Sequence, residues 1–183
     1  MKSIKEFLVP TVVLFAICLI AALLLGVTNE VTAPKIEANA IAAQQEAMAQ
    51  VLPEAKTFGF TEENKYGSYA PAYNEAGEVI GYAITASGKG GYNGSVTLMV
   101  GVDSSGAVQN LSFLEIDETP SIGGKIPKNE SFLSQFAALT GSAKLTKNGG
   151  TVDAVSGATK TSTAVTDAVN NALLCYGEVS ANG

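Results

Sequence analysis

A run of small and hydroxyl-bearing residues precedes the most regular helical pattern of the chain. The run is DAVSGATKTS, from Asp153 to Ser162. The apolar residues that follow it recur with a period near 3.6 and predict a C-terminal helix; they are Ala164, Val165, Ala168, Val169, Ala172 and Leu173. The N–H groups and the dipole at a helix N-terminus favour an anion. The pattern predicts either a phosphate site, with Ser156, Thr161 or Thr163 as side-chain ligands, or an ordinary N-cap.

The composition excludes several other classes of site. The 183 residues carry a net charge of −6, and all 11 basic residues are Lys. Nucleic-acid binding depends on clustered positive charge, so we expect no nucleic-acid partner. His is absent, which removes His-based catalysis and His-ligated metals. Cys18 and Cys175 are too few to hold an iron–sulfur cluster. A redox role would therefore need an organic cofactor or a partner chain.

The N-terminal part of the chain predicts a membrane anchor. Residues 8–27 contain no charge, and 20 helical residues span roughly 30 Å, the thickness of the hydrocarbon core. Lys2 and Lys5 precede this run, so residues 1–7 are expected in the cytoplasm and the residues after Val27 on the outer face of the inner membrane. A cleaved signal peptide, or a lipoprotein modified at Cys18, are the alternatives to an uncleaved helix.

A connector is predicted between the anchor and a folded domain. Residues 28–56 include a stretch rich in Ala, Gln and Glu, which Pro34 can start and Pro53 can end as a helix. The same pattern is compatible with a simple spacer. From residue 57 to 183 the chain reads as one domain.

Short strands and turns dominate the first part of that domain. Strands are predicted at Val79 to Ala86, around Val96 to Val102, and at Ala107 to Ile116, with turns at Asn74 to Gly77 and Asp103 to Gly106. Apolar residues at helical spacing predict a helix from Glu130 to Thr140. The sequence therefore predicts an α+β fold with a mainly antiparallel sheet and flanking helices, preceded by one transmembrane helix.

The Ser/Thr run also resembles a known modification motif. Asp153, Ser156, Gly157, Ala158 and Thr159 match the Asp-x-x-Ser-Gly-Ala-Thr acceptor motif of flavin transferases, which move FMN from FAD onto a Thr hydroxyl. By this resemblance Thr159 carries FMN through a phosphoester, and a flavin transferase is a partner during maturation.

Other segments resemble one family in the same order along the chain. They are Val51 to Ala55, the loop Gly90 to Gly94, the loop Glu118 to Gly123 and the segment Phe132 to Phe136. Together they resemble RnfG, the FMN-binding component of the Rnf ferredoxin:NAD⁺ oxidoreductase. More distantly, they resemble the corresponding FMN-binding component of the sodium-pumping NADH:quinone reductase. Ser121 stands where the family's Glu-Thr-Pro-Gly-Leu-Gly loop has its first Gly.

The resemblance implies an electron-carrier subunit with FMN, held in a membrane complex among other membrane subunits and not catalytic alone. It implies that the cofactor contacts are Tyr92, Glu118, Thr119, Gly123, Asp153, Ser156, Gly157, Ala158 and Thr161. Lys125 either faces the flavin and its phosphate or points into solvent. The alternatives are a membrane-anchored binding module without redox chemistry, in which Thr159 is only a helix cap, and a stand-alone extracytoplasmic flavin reductase.

Overall fold

A computed structural model describes residues 2–182 and divides the chain into two compact units, with the boundary between Ala43 and Gln44. Helix α1 extends over Lys2–Val51. By length and composition it can cross a membrane, with a mean hydropathy of 2.9 in its most apolar window. This fits a single-pass membrane protein.

Pro34 does not start a second helix, and that expectation is wrong. The residue lies inside α1, as does Pro10. A proline removes one backbone donor and crowds the carbonyl one turn earlier. The residues after Pro34 are strong helix formers, which favours continuation of the helix across this position.

The second unit is built on an antiparallel sheet. Its strands are β1 (Thr57–Phe58), β2 (Glu62–Asn64), β3 (Gly67–Tyr73), β4 (Val79–Gly88), β5 (Val96–Asp103) and β6 (Val108–Ile116). The order is β1-β3-β4-β5-β6, with β2 also paired to β3, and every named pair is antiparallel. The turns predicted at Asn74 and Asp103 both form, each closed by a hydrogen bond from a glycine N–H to that residue's carbonyl. The predicted α+β fold is confirmed.

Each face of the sheet is covered by a helix. The C-terminal helix (Thr159–Asn182), here α3, buries its apolar stripe against β4 and β5 in the larger core. Gly88 lets the backbones approach, because a Cβ there would collide with the carbonyl oxygen of Ala164. The last turns of α1 cover the other face, where Met48 and Val51 pack with Ala83 and Met99. The sheet thereby fixes the start of α3 in space.

The helix predicted from Glu130 to Thr140 is much shorter in the structure. Helix α2 covers only Glu130–Leu133, and a 3₁₀ turn follows at Ser134–Phe136. Phe132 and Phe136 remain buried, in edge-to-face contact at 5.3 Å between ring centroids. Ala138 then adopts a φ of 57°. Its N–H and the carbonyl of Leu139 bond to the backbone of Val108, and these tertiary hydrogen bonds replace the helical ones.

Candidate functional site

The start of α3 is held by a tight turn. Gly157 has a φ of 78°, and the N–H of Ala158 donates to the carbonyl of Val155 at 2.9 Å. The Ser162 hydroxyl accepts from the N–H of Val155 and donates to the carbonyl of Ala158, both at 3.0 Å. Ser162 is fully buried and therefore acts as the structural serine of this segment. This role of Ser162 is not evident from the sequence, because cap positions depend on where the helix begins.

Several hydrogen-bond donors at the start of α3 have no acceptor within residues 2–182. The backbone N–H groups of Thr159, Lys160 and Thr161 make no hydrogen bond within residues 2–182. The Thr161 hydroxyl also makes none in that range, although only 2% of this residue is exposed. Among the described residues no buried side-chain polar atom lacks a partner, so the Thr161 oxygen itself is accessible. Unpaired donors at a helix N-terminus fit a negatively charged ligand.

These donors belong to residues that line a cavity of about 410 Å³. Its lining residues are Tyr92, Glu118, Thr119, Ile122, Gly157, Ala158, Thr159, Lys160 and Thr161. Small-molecule and cofactor sites commonly enclose about 300–1,000 Å³. The cavity is therefore large enough for a ligand with a ring system.

Glu118 joins two glycine loops at the cavity. Its Oε1 accepts the N–H of Tyr92 at 2.6 Å. A Cβ on Gly91 would lie 2.6 Å from that same oxygen, and a Cβ on Gly123 would lie 2.9 Å from Oε2. A Cβ on Gly123 would also lie 2.5 Å from Oγ1 of Thr161. A Cβ at either position would therefore crowd the Glu118 carboxylate, and at Gly91 it would also lie 2.6 Å from the backbone carbonyl oxygen of Gly94.

The loop after Glu118 is a turn centred on the Thr119 carbonyl. This oxygen accepts the N–H groups of Ile122 at 2.9 Å and Gly124 at 3.0 Å. Within residues 118–124 no residue has a positive φ. Ser121 therefore sits in this turn without the backbone strain that would require glycine.

The structure brings together seven of the residues expected from the sequence. Tyr92, Glu118, Thr119, Gly157, Ala158, Thr159 and Thr161 all line the cavity. Gly123 does not line it but packs directly against two residues that do.

The other three expected residues lie outside the lining. Ser156 and Lys125 are exposed. The Asp153 residue is exposed, while its backbone N–H donates to the Gln135 side chain at 2.7 Å. Thr163, a further phosphate ligand in the sequence analysis, also lies outside; its hydroxyl donates to the Thr159 carbonyl at 2.8 Å.

Two lining residues were missed by sequence reasoning. Ile122 supplies an exposed apolar side chain, 51% accessible, to the cavity wall. Lys160 places its ammonium 5.5 Å from the ring centroid of Tyr92, within the range of a cation–π contact. The position of Lys160 directly after Thr159 was the available signal, but chain neighbours on a helix do not share a face.

Comparisons with known proteins agree on one family. Residues 91–174 match the model of the FMN-binding domain, and residues 1–51 match that of the RnfG N-terminal region. The G-type subunit of the ion-translocating oxidoreductase complex of Methanosarcina acetivorans is 32% identical over 94% of this chain and 96% of its own length.

Two further relatives extend this result. The G-type subunit of the Na(+)-translocating ferredoxin:NAD(+) oxidoreductase complex of Acetobacterium woodii is 29% identical over 92% of this chain and 90% of its own length. The G-type subunit of the ion-translocating oxidoreductase complex of Salmonella typhimurium is 32% identical over 82% of each chain. The similarity covers the N-terminal helix as well as the domain that holds the cavity. The chain is therefore a member of the RnfG family of ion-translocating oxidoreductase complexes, with an FMN-binding domain behind an N-terminal apolar helix.

Proposed function

We propose that this chain carries FMN covalently on Thr159 and serves as an electron-carrier subunit of an ion-translocating ferredoxin:NAD⁺ oxidoreductase complex. The observation that carries the proposal is the set of unpaired donors around Thr159. Three backbone N–H groups and the Thr161 hydroxyl belong to residues that line one cavity, in a chain with an FMN-binding domain. A phosphate joined to Thr159 would satisfy these donors.

The attachment is a phosphoryl transfer from FAD. The Thr159 oxygen forms a bond to the phosphorus of the FMN half, the pyrophosphate bond of FAD breaks, AMP leaves, and the hydroxyl proton is released. Thr159 and Asp153 are both exposed, so a flavin transferase has access to them. We assign Asp153 to recognition by that transferase, because the residue lies outside the cavity lining.

The cavity residues then hold the attached group. The N-terminus of α3 and Thr161 bind the phosphate, while Tyr92, Thr119 and Ile122 offer a surface for the ring system. When bound, FMN supplies the electron uptake and release, and the protein supplies position and electrostatics. Electrons come from and go to other subunits of the complex, so the isolated chain has no complete reaction to catalyse.

The redox role is tested in membranes from the native host. Adding reduced ferredoxin, or NADH in the reverse direction, is expected to reduce the flavin of this chain within turnover time. Membranes that contain the Thr159→Ala variant provide the control, since they lack only this flavin. A flavin that stays oxidised while the complex turns over would contradict the carrier role. Reduction of the purified chain by a soluble donor at the turnover rate would instead favour a stand-alone flavin reductase.

The proposed topology places the flavin on the outer face of the inner membrane. Residues 8–27 cross the bilayer, residues 28–56 connect, and residues 57–183 hold FMN. Lys2 and Lys5 resist translocation and keep the N-terminus cytoplasmic. Protease added to spheroplasts is expected to digest the domain beyond residue 28, whereas inverted vesicles are expected to protect it. Digestion in inverted vesicles alone would reverse the assignment.

A further inference from the structure

The cavity contains one positive and one negative side chain among its described lining residues. These are Lys160 and Glu118. The Glu118 carboxylate accepts a hydrogen bond from the N–H of Tyr92. The Lys160 ammonium lies over the ring of Tyr92, a residue that is 72% exposed. Lys160 and Tyr92 thus line the same cavity side by side, so a charge that develops on a ligand in this cavity is exposed to the field of the ammonium.

We propose that Lys160 is the charge that stabilises the anionic reduced form of FMN in this cavity and so sets how readily the flavin accepts electrons. This inference rests on the proposed function, because it concerns FMN held at Thr159. It assigns to Lys160 a role that neither the acceptor motif nor the loop motifs contain.

The physical basis is the proton balance of flavin reduction. Two electrons and two protons convert FMN into neutral FMNH₂, whereas two electrons and one proton give the anion FMNH⁻. A nearby ammonium favours the anion and therefore lowers the pKa of the reduced flavin. It also makes reduction more favourable at a pH where the anion forms. The phosphoester and Glu118 are both negative and act in the opposite direction.

Other lysines near the site do not replace Lys160. Lys147 donates to the Thr163 hydroxyl at 3.4 Å, one turn further along α3. Lys125 and Lys128 are exposed on the 3₁₀ helix Gly123–Lys128 and do not line the cavity. Loss of Lys160 thus leaves Glu118 as the charged side chain of the described lining.

The test compares Lys160→Met and Lys160→Arg with a matched surface control, Lys128→Met, in the full chain carrying FMN. The first readout is the pH at which the fully reduced flavin ionises, followed by absorbance. In Lys160→Met its proton affinity is expected to rise roughly tenfold, as for the loss of one partly screened charge near the ring. The second readout is the fraction of flavin reduced at a fixed potential and alkaline pH, which is expected to fall. Lys160→Arg and Lys128→Met are expected to match the unmodified chain.

A second measurement does not depend on the transferase, so it gives a result even if the transferase fails to attach FMN to Lys160→Met. In the Thr159→Ala background, oxidised FMN and fully reduced FMN are each titrated into the chain with and without Lys160→Met at alkaline pH. The preference for reduced over oxidised FMN is expected to drop roughly tenfold without the ammonium, because the oxidised ring is neutral and the phosphate is present in both forms. Flavin-loaded Lys160→Met with an unchanged ionisation pH, or an equal preference for reduced over oxidised FMN in the Thr159→Ala pair, would overturn the assignment to Lys160. A chain without any FMN from a host with the transferase would overturn the proposed function together with this inference.

Discussion

Thr159→Ala is expected to eliminate covalent flavin and to leave the domain folded. The Thr159 hydroxyl is the group that reacts, and the acceptor motif from Asp153 to Thr159 contains no other threonine. Thr159 is exposed, and its own hydroxyl makes no hydrogen bond within residues 2–182. The expected stability loss is therefore within the range of a weak helix-cap change, about 0.5–2 kcal/mol. Flavin fluorescence in a denaturing gel measures the attachment, and thermal unfolding measures the fold.

Thr163→Ala is the matched control for this experiment. Thr163 lies one turn further along α3, and its hydroxyl bonds back to the Thr159 carbonyl. The variant is expected to keep its flavin at the level of the unmodified chain. Fluorescence that survives in Thr159→Ala would move the acceptor to Thr161 or Ser156. Loss of fluorescence together with loss of the unfolding transition would show that the residue is structural.

Gly123→Ala is expected to damage the cavity by overpacking the side chains of two lining residues. The new Cβ would lie 2.5 Å from Oγ1 of Thr161 and 3.0 Å from Cβ of Glu118. Thr161 is buried and β-branched on a helix, so its side chain has little freedom to move. Displacing Glu118 would break its hydrogen bond to Tyr92. Overpacking of this kind costs about 1–3 kcal/mol.

We expect flavin attachment in Gly123→Ala to fall with the stability, as measured by gel fluorescence normalised to protein. Gly177→Ala is the control, because a Cβ there meets no heavy atom within 4 Å on α3. Alanine in that helix is expected to be neutral or stabilising by about 0.5–1 kcal/mol. Normal attachment and normal stability in Gly123→Ala would mean that the loop is looser than the packing around Glu118 indicates.

Local periodicity predicted the elements whose buried side chains recur at a regular spacing along the chain. The apolar stripe of α3 and the alternating residues of β5 need only local spacing to be recognised, and both are confirmed. The segment Glu130 to Thr140 has the same helical spacing but leaves the helix after Phe136. Its backbone bonds instead to Val108, which lies far away in the sequence. Such a competition between local and tertiary hydrogen bonds is invisible in a single window of sequence.

The site also combines residues that a local pattern predicts with residues that only tertiary contacts bring together. The acceptor motif pointed to Thr159 and its neighbours, because those residues are consecutive in the chain. The roles of Glu118 and Lys160 depend on loops that meet only after folding. Glu118 was expected to contact the cofactor, which stays a prediction; the structure shows that its carboxylate accepts a hydrogen bond from Tyr92 and lies close to Gly91 and Gly123. Lys160 was missed, because its relation to Tyr92 depends on a loop that lies far earlier in the chain.

Peptide-level mass spectrometry tests the central claim most directly. The chain is purified from a host that contains the flavin transferase, denatured, digested and fragmented so that the modified residue is identified. We expect one FMN phosphoryl group per chain, located on Thr159. An unmodified peptide, or FMN on any other residue of the segment Asp153 to Ser162, would contradict it.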